Sequence, residues 1–172
     1  MKQTSDVLPL SNGMTEENRK QIISILQKEL ADHYLLVTKT KYYHWNVDGP
    51  DFHDLHVFFD SNYETLSEMI DTIAEQCLKL GGQSTGTLAQ FMKDTRLKED
   101  EGSSIPDTRE MVQNLLNDHE AIISNLHDEI KKIDSDYDDA VTSNMLQDTS
   151  DKHQKIAWML RMILKNDSID KE

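Results

Sequence analysis

The chain of 172 residues is 37% hydrophobic and 29% charged, which is enough for one domain with a sizeable core. Its formal net charge of −14 argues against nonspecific nucleic-acid binding by the body of the protein and suits the attraction of cations. The single cysteine, Cys77, excludes an intrachain disulfide, and no apolar run approaches the roughly 18 residues of a membrane-spanning helix. Because the N-terminus lacks a charged-then-apolar secretory pattern, we expect a cytoplasmic protein.

Residues 1–14 predict a flexible N-terminal tail, in which Lys2 is the one basic residue. A first helix is predicted from Thr15, an N-cap residue that two glutamates follow in the first turn. Its inward face is predicted from apolar side chains at helical spacing, namely Ile23, Leu26, Leu30, Tyr34 and Val37. His44 continues this stripe to within about 20°, so we expect it to face inward.

The second helix is predicted over residues 52–80, because Gly81 and Gly82 form a strong C-terminal signal. Its inward stripe is predicted to consist of Leu55, Phe59, Leu66, Ile70, Ile73 and Cys77.

A short loop at residues 46–51 separates the first two helices and is rich in turn-forming residues. Such a loop suits an antiparallel helix pair, which would bring His44 beside His56. We interpret Tyr43 and Trp45, on either side of His44, as packing residues.

The rest of the chain predicts two further long helices after a long crossover. In chain order these elements are a crossover at 82–106 with a short helix at 88–93, a third helix at 107–133, an acidic turn at 134–139, a fourth helix at 138–165 and a polar C-terminal tail at 167–172. His119 lies in the apolar stripe of the third helix, so we interpret it as a core or interface residue. Four long helices with one long crossover predict an all-α four-helix bundle, a single domain over residues 15–166.

Five candidate metal ligands follow one another around the first loop and the second helix: His44, His56, Asp60, Asp71 and Glu75. The last four share one helix, and at 100° per residue they occupy one arc of about 100°. The arc is centred about 90° from the apolar stripe, so it forms a face adjacent to the one that packs within the subunit. Asp60 and Asp71 are roughly 16 Å apart along the helix axis, so one ion cannot reach both. The spacing therefore predicts two half-sites, each formed by an i,i+4 pair.

A second, antiparallel copy of the helix would bring the half-sites together. If a twofold axis passes between Thr65 and Leu66, the His56/Asp60 half-site of one chain faces the Asp71/Glu75 half-site of the other. The dimer then holds two sites roughly 22 Å apart, and the small Ser67 near the axis permits close approach. The alternative interpretation is that this acidic helix face is only solvated and that His56 is a surface histidine.

Imidazole and carboxylate ligands without thiolate suit iron, zinc or manganese rather than a structural cysteine-zinc site. Carboxylates also retain iron after oxidation, because the harder Fe(III) ion prefers oxygen ligands. Conventional diiron bundles supply a Glu-x-x-His pair from each of two helices, and none of the 7 histidines follows a glutamate at that spacing. We therefore do not expect a diiron centre within one chain.

These residues closely resemble the Dps family, ferritin-like proteins named as DNA-binding proteins from starved cells. The resemblance rests on His44-Trp45-Asn46, Gly49-Pro50-Asp51-Phe52, Leu55-His56, Phe59-Asp60, Asp71-Thr72-Ile73-Ala74-Glu75 and Leu80-Gly81-Gly82. In the last helix it extends to Asp151-Lys152-His153 and Ala157-Trp158-Met159-Leu160-Arg161. It covers nearly all of the chain from the first long helix to the last, and it implies a ferritin-like fold.

The resemblance implies a ferroxidase centre between subunits, with His44, His56 and Asp60 from one chain and Asp71 and Glu75 from its mate as catalytic metal ligands. It also implies a hollow dodecamer that oxidises Fe(II) with hydrogen peroxide or dioxygen and stores ferric mineral. Iron is then the bound metal, with zinc as the alternative occupant. Such an oxidoreductase protects the cell from oxidative damage, because it removes iron and peroxide together.

Two features depart from the family pattern. Members that bind DNA often have a lysine-rich tail, which residues 1–14 lack, so DNA binding is not expected. The alternative function is a DNA-compacting stress protein with incidental ferroxidase activity. Members also commonly line a threefold pore with aspartates near the start of the last helix, where this chain has Asn144. Asp138, Asp139 or Asp148 could take that role, and the alternative interpretation of each, which we favour, is a helix N-terminal or surface carboxylate.

Overall fold

The computed structural model of the protein describes residues 7–166. This part of the chain forms α1 (Glu16–Asn46), α2 (Phe52–Lys79), α3 (Leu88–Asp94), α4 (Thr108–Tyr137) and α5 (Ala140–Asn166), and it contains no strand. α1 packs along α2, α4 packs along α5, and α1 links the two pairs through its contacts with α4. The predicted all-α four-helix bundle, with a short helix in its long crossover, is confirmed.

Local capping chemistry explains where the helices begin and end. The Oγ1 of Thr15 accepts a hydrogen bond from the backbone N–H of Asn18, which confirms Thr15 as the N-cap of α1. Asp107 and Glu110 form a reciprocal capping box at the start of α4. At the other end of α4, Asp138 has a left-handed φ of 54°, and its N–H donates to the carbonyl of Ile133. This residue ends α4 and turns the chain towards α5.

The predicted acidic turn at 134–139 is wrong in its extent. α4 continues to Tyr137, so only Asp138 and Asp139 separate it from α5. Residues 134–137 include no glycine or proline, so nothing in this stretch breaks the helical hydrogen bonds. Asp139 completes the turn, because its carboxylate accepts hydrogen bonds from the backbone N–H and the hydroxyl of Thr142.

The apolar stripes of the long helices make the core, although Tyr34 and Ile70, on the predicted inward faces of α1 and α2, are not fully buried. Tyr34 is 36% exposed and stacks on Phe91 of α3, with the ring centroids 4.1 Å apart. Ile70 is only half-buried. Cys77 and His119 are fully buried, and burial raises the pKa of the Cys77 thiol to about 12. The largest fully buried side chains include Tyr43, Phe59, Leu26, Leu66, Met111 and Ile122.

The segment before α1 is not helical and lies against the C-terminal end of α2. The N–H of Leu8 donates to the carbonyl of Gly81 over 2.7 Å. The Nη1 of Arg19 donates to the carbonyls of Leu8 and Leu80 over 2.9 and 3.0 Å. The parts of the predicted tails at residues 1–6 and 167–172 lie outside the described residues. Among the helices described, none combines the length and apolar character needed to cross a membrane.

Candidate metal centre

His44 and His56 form a reciprocal pair where the short loop joins α1 to α2. The Nδ1 of each ring lies 2.9 Å from the backbone carbonyl oxygen of the other residue. Because a carbonyl oxygen can only accept, both Nδ1 atoms are donors. The rings stack with their centroids 3.8 Å apart. In the neutral imidazoles both Nε2 atoms therefore present a lone pair, which is the form in which histidine binds a metal.

Asp60 lies beside this pair, one helical turn after His56. Its Oδ1 is 3.9 Å from the Nε2 of His44, and its side chain is 43% exposed. A hydrogen bond to Asp60 raises the pKa of Tyr63, whose hydroxyl is the donor. The Tyr63 ring also meets the His44 ring edge-on, with the centroids 5.3 Å apart. Tyr63 thus contacts two candidate ligands.

The two aromatic neighbours of the pair have different roles. Phe52, at the start of α2, stacks on His56 with the ring centroids 5.2 Å apart. Tyr43 packs in the core as predicted, and its hydroxyl donates to Asp100 Oδ2 over 3.1 Å. The interpretation of Trp45 as a packing residue is wrong for the single chain, because Trp45 is 71% exposed. It follows His44 directly in the last turn of α1, so its side chain points out of the bundle.

Asp71 and Glu75 lie farther along α2, and both are exposed. The Glu75 carboxylate is 3.5 Å from the Nζ of Lys79 in the next turn. Asp71 lines a surface cavity of about 400 Å³ between α1 and α2, together with Lys41 and Ser67. The fold therefore brings His44, His56 and Asp60 together, whereas Asp71 and Glu75 remain at a separate position on the same helix.

Over residues 7–166, no group of three or more His, Cys, Asp or Glu side chains is arranged to hold a metal ion. His44, His56 and Asp60 are neighbours, but within one chain they are not arranged to hold a metal ion.

The carboxylates considered for a pore occupy different environments. Asp139 is buried in the N-terminal cap of α5, and Asp138 occupies the left-handed position that ends α4. Asn144 and Asp148 are exposed on α5. Asp139 is therefore held in a helix cap, and the exposed residues of this group are Asp138, Asn144 and Asp148.

Sequence reasoning missed Tyr63 and Phe52 as parts of this centre. Tyr63 is three residues after Asp60, and Phe52 is four residues before His56, so both pairs are neighbours on the helix surface. The helical spacing that predicts the ligands could thus have identified these two aromatic residues as well.

The ferritin-like domain family matches residues 23–169 of the chain. A low temperature-induced protein of Nostoc is 41% identical over 158 residues, which cover 92% of this chain and 88% of the relative. DNA protection during starvation protein 2 of Bacillus anthracis is 34% identical over 146 residues, which cover 84% and 97% of the two chains.

Solved structures show the same likeness. DpsC from Streptomyces coelicolor superimposes with a TM-score of 0.91 at 27% identity, and the match covers 95% of each chain. The Dps protein from Vibrio cholerae, described as a member of a broad superfamily of ferritin-like diiron-carboxylate proteins, gives a TM-score of 0.84 at 25% identity. That match covers 93% of this chain and 99% of the other. On these grounds, the chain belongs to the ferritin-like family and, within it, to the Dps proteins.

Proposed function

We propose that the protein is a ferroxidase that oxidises Fe(II), with hydrogen peroxide as the oxidant, and stores the ferric mineral inside a dodecameric cage. Its centres would lie between two copies of the chain. His44, His56 and Asp60 come from one copy, and Asp71 and Glu75 come from the other. The observation that carries this proposal is the reciprocal hydrogen bonding of His44 and His56.

That hydrogen bonding prepares both rings for a cation before one arrives. Each Nδ1 proton is held by a backbone carbonyl, so each ring keeps its orientation and its tautomer. Asp60 adds a carboxylate next to His44, and Tyr63 orients it. Two imidazoles and a carboxylate suit Fe(II), and further carboxylates would favour Fe(III) after oxidation.

In the proposed reaction, each Fe(II) gives up one electron. One hydrogen peroxide molecule accepts two electrons from two Fe(II) ions, takes up two protons and is reduced to two water molecules. Hydrolysis of the ferric ions to oxyhydroxide mineral then releases protons. The residues of the chain bind and orient the iron, and the net charge of −14 favours the accumulation of cations near the protein.

The pairing of two chains is supported by the separation of the half-sites on α2. Asp71 and Glu75 are exposed, and Asp60 is partly exposed, so all three are available to a facing molecule. No single chain can join the two half-sites, because they lie too far apart along a straight helix. A twofold pair would complete two centres at once.

Anomalous diffraction at the iron edge, from crystals soaked in Fe(II), tests the site and the dimer together. We expect a signal between His44, His56 and Asp60 of one copy and Asp71 and Glu75 of a twofold mate. Iron bound elsewhere, half-sites that do not face each other, or a site that takes zinc and excludes iron would overturn the proposal.

Kinetics tests the activity separately. In the His44→Ala/His56→Ala double variant, we expect the assembly to persist while peroxide-driven Fe(II) oxidation slows strongly. The control is His127→Ala, which changes an exposed histidine on α4. Unchanged oxidation in the double variant would refute the assignment of these ligands.

The second candidate function is DNA compaction, which the name of the Bacillus anthracis relative favours. The charge of −14 opposes it, because phosphate contacts require clustered lysine or arginine. We expect no band shift with duplex DNA at low salt. Tight, salt-sensitive binding would instead favour the second candidate.

A further inference from the structure

A chain of three histidines lies in the bundle core, away from the candidate metal centre. His33 is on α1, His119 on α4 and His153 on α5, and all three are 0% exposed. The Nε2 of His153 lies 2.9 Å from the Nε2 of His33, and the Nδ1 of His153 lies 2.7 Å from the Nδ1 of His119. The chain thus links three helices through its middle ring.

The positions of the protons in this chain follow from one contact. The Nδ1 of His33 lies 2.6 Å from the carbonyl oxygen of Glu29, which can only accept, so this nitrogen carries a proton. In the neutral ring its Nε2 is then an acceptor, and His153 must donate to it from Nε2. The Nδ1 of His153 is left as an acceptor, so His119 donates from Nδ1. All three N–H groups therefore point towards Glu29.

Burial keeps these rings neutral. It lowers the pKa of His33 to about 4 and that of His119 to about 3. Burial also lowers the pKa of His153 well below its usual value, and the neighbouring rings of His33 and His119 add to this effect. The charged groups that face His33 are Asp32 and Arg96, which act in opposite directions. Near neutral pH, the chain is a row of three uncharged imidazoles.

Both ends of the row are buried atoms without a hydrogen-bond partner. At one end this atom is the Nε2 of His119, which holds a lone pair. At the other end it is the Oε2 of Glu29, 3.7 Å from the Nδ1 of His33. A buried acceptor without a donor is costly, and here the two acceptors lie where a transferred proton would enter and leave.

Glu29 connects the row to the surface. Burial, and next the charge and hydrogen bond of Glu129, raise the pKa of Glu29 well above its usual value. Glu129 also has a buried oxygen without a donor, Oε2, so one shared proton would satisfy both carboxyls. Arg96 donates to Glu29 and to Glu129, and its side chain is 28% exposed.

We infer that His119, His153 and His33 form a proton relay that accepts a proton at His119 Nε2 and delivers it to the Glu29–Glu129 carboxyl pair. When a proton binds His119 Nε2, the Nδ1 proton of that ring moves to His153 Nδ1. The Nε2 proton of His153 then moves to His33 Nε2. The His33 ring turns its Nδ1–H from the Glu29 carbonyl towards Oε2, 3.7 Å away, and that proton joins the carboxyl pair while the proton already shared by the pair passes from Glu129 to solvent. One proton enters and one leaves, and the three rings finish neutral in their opposite tautomers.

The relay is a property of the metal-free protein, while its use during iron oxidation rests on the proposed function. Hydrolysis of Fe(III) releases more protons than the reduction of peroxide consumes, and the excess must leave the site of mineral formation. A fixed row of neutral imidazoles carries a proton through apolar surroundings, since no ring has to hold the charge for long.

Solid-state NMR of ¹⁵N-histidine-labelled, metal-free protein tests the arrangement directly. At neutral pH we expect His33 and His119 to carry the proton on Nδ1 and His153 to carry it on Nε2. Assignment uses single His→Gln variants at each position. The relay would be refuted if the three N–H groups did not share one direction, for example if His33 carried its proton on Nδ1 while His153 also carried its proton on Nδ1.

The second test uses His153→Gln. A glutamine amide can donate to His33 and accept from His119, but it cannot pass a proton on, so the structural contacts persist without the relay. Stopped-flow absorbance would follow Fe(III) formation while a pH-indicator dye follows proton appearance in the bulk solvent. In the unchanged protein we expect both signals to rise together, whereas in His153→Gln the proton signal should lag behind Fe(III) formation.

The control is His127→Gln, which changes the exposed histidine on α4 and should leave the two signals together. Equal timing in His153→Gln would overturn the relay. If the unchanged protein oxidises no iron, the proposed function fails, while the tautomer measurement still tests the proton order on which the relay depends.

Discussion

The Nζ of Lys39 on α1 donates to Asp118 Oδ2 on α4 over 2.6 Å, and the two side chains are only 6% and 12% exposed. Lys39 also donates to the carbonyl of Lys98 in the crossover. One ammonium group thus fastens three separate parts of the chain. Removing one member of a buried ion pair leaves the other charge unpaired, which usually costs more than the pair itself contributes.

We expect Lys39→Met to lower the free energy of unfolding by about 3 kcal/mol, because it strands the Asp118 carboxylate. Asp118 already has a raised pKa through burial, which Lys39 partly offsets. The double variant Lys39→Met/Asp118→Leu should recover much of the loss. Chemical unfolding at one fixed protein concentration, analysed as a double-mutant cycle, measures the coupling. Additive losses would show that the two side chains do not interact.

The candidate metal centre predicts the effect of His56→Phe. Phenylalanine retains ring stacking with His44 and Phe52 but removes the metal-binding nitrogen. We expect helical content to persist and the rate of Fe(II) oxidation to fall at least about tenfold. Loss of a residue that only orients a metal ligand already lowers activity by about 10–100-fold, so loss of a ligand should cost at least as much. Stopped-flow absorbance of Fe(III) provides the measurement. An unaltered rate would remove His56 from the centre.

Tyr63→Phe isolates the hydroxyl that holds Asp60. The ring remains in place against His44, while the hydrogen bond to Asp60 is lost. Loss of a group that orients a metal ligand typically weakens affinity or activity by about 10–100-fold, and the exposure of Asp60 favours the lower figure. Calorimetric titration with Fe(II) under anaerobic conditions measures the affinity. Equal affinities would mean that Tyr63 only packs.

Acid should destabilise the protein through its buried histidines. Their pKa values in the folded chain lie below the unfolded value of 6.5, so the unfolded state binds protons first. Their contribution to stability is complete above pH 6.5, and it is lost as the pH falls towards about 4, the value for His33. The raised pKa of Glu29 acts in the opposite sense, because its contribution is lost as the pH rises.

His119→Leu tests this pH dependence. We expect lower stability at pH 7, because His153 loses a donor, but a weaker dependence of stability on pH between 6.5 and 4. His127→Leu changes an exposed ring on the same helix and should leave the slope unchanged. Urea unfolding at a series of pH values gives both slopes. If stability depended on pH as steeply in His119→Leu as in the unchanged protein, the lowered pKa of His119 would not be a source of the pH dependence.

Two glycines in the crossover should respond differently to alanine. A Cβ at Gly82 would lie 2.6 Å from the Cδ1 of Ile23, which is buried in the core, whereas a Cβ at Gly86 meets nothing within 4 Å. We expect Gly82→Ala to cost about 1–3 kcal/mol through overpacking, and Gly86→Ala to be neutral or slightly stabilising. Thermal unfolding of both variants measures the difference. Similar midpoints would show that Ile23 moves aside freely.

Helical periodicity was sufficient to predict the four long helices and the separation of the α2 half-sites, because both depend on spacing within one helix. The proximity of His44 to His56 was also predicted, because a short loop between two helices favours an antiparallel pair. The end of α4 was misjudged because acidic residues at 134–137 are compatible with a turn and with a helix. What settled the boundary was the left-handed conformation of Asp138, which composition alone does not specify.

The buried polar network was invisible to the same reasoning. The sequence of α1 gives no reason to expect that three of its polar side chains are buried. Each is 0% exposed: Glu29, Asp32 and His33. Arg96 of the crossover covers Glu29 and Asp32, and its Nε donates to Asp32 Oδ2 over 2.7 Å, whereas His33 packs against His153 of α5. Asp32 and Arg96 are 64 positions apart, so the periodicity of the sequence cannot reveal their contact.

The burial of Cys77 has a consequence for a protein that would work in the presence of peroxide. Peroxide attacks the thiolate, and the raised pKa of about 12 keeps this thiol protonated within the core. The more accessible sulfur atoms belong to Met92, Met159 and Met162, which are 50%, 37% and 41% exposed. Oxidation of the protein should therefore begin at these exposed methionines, as reversible methionine sulfoxide. The buried thiol should not form disulfides between molecules.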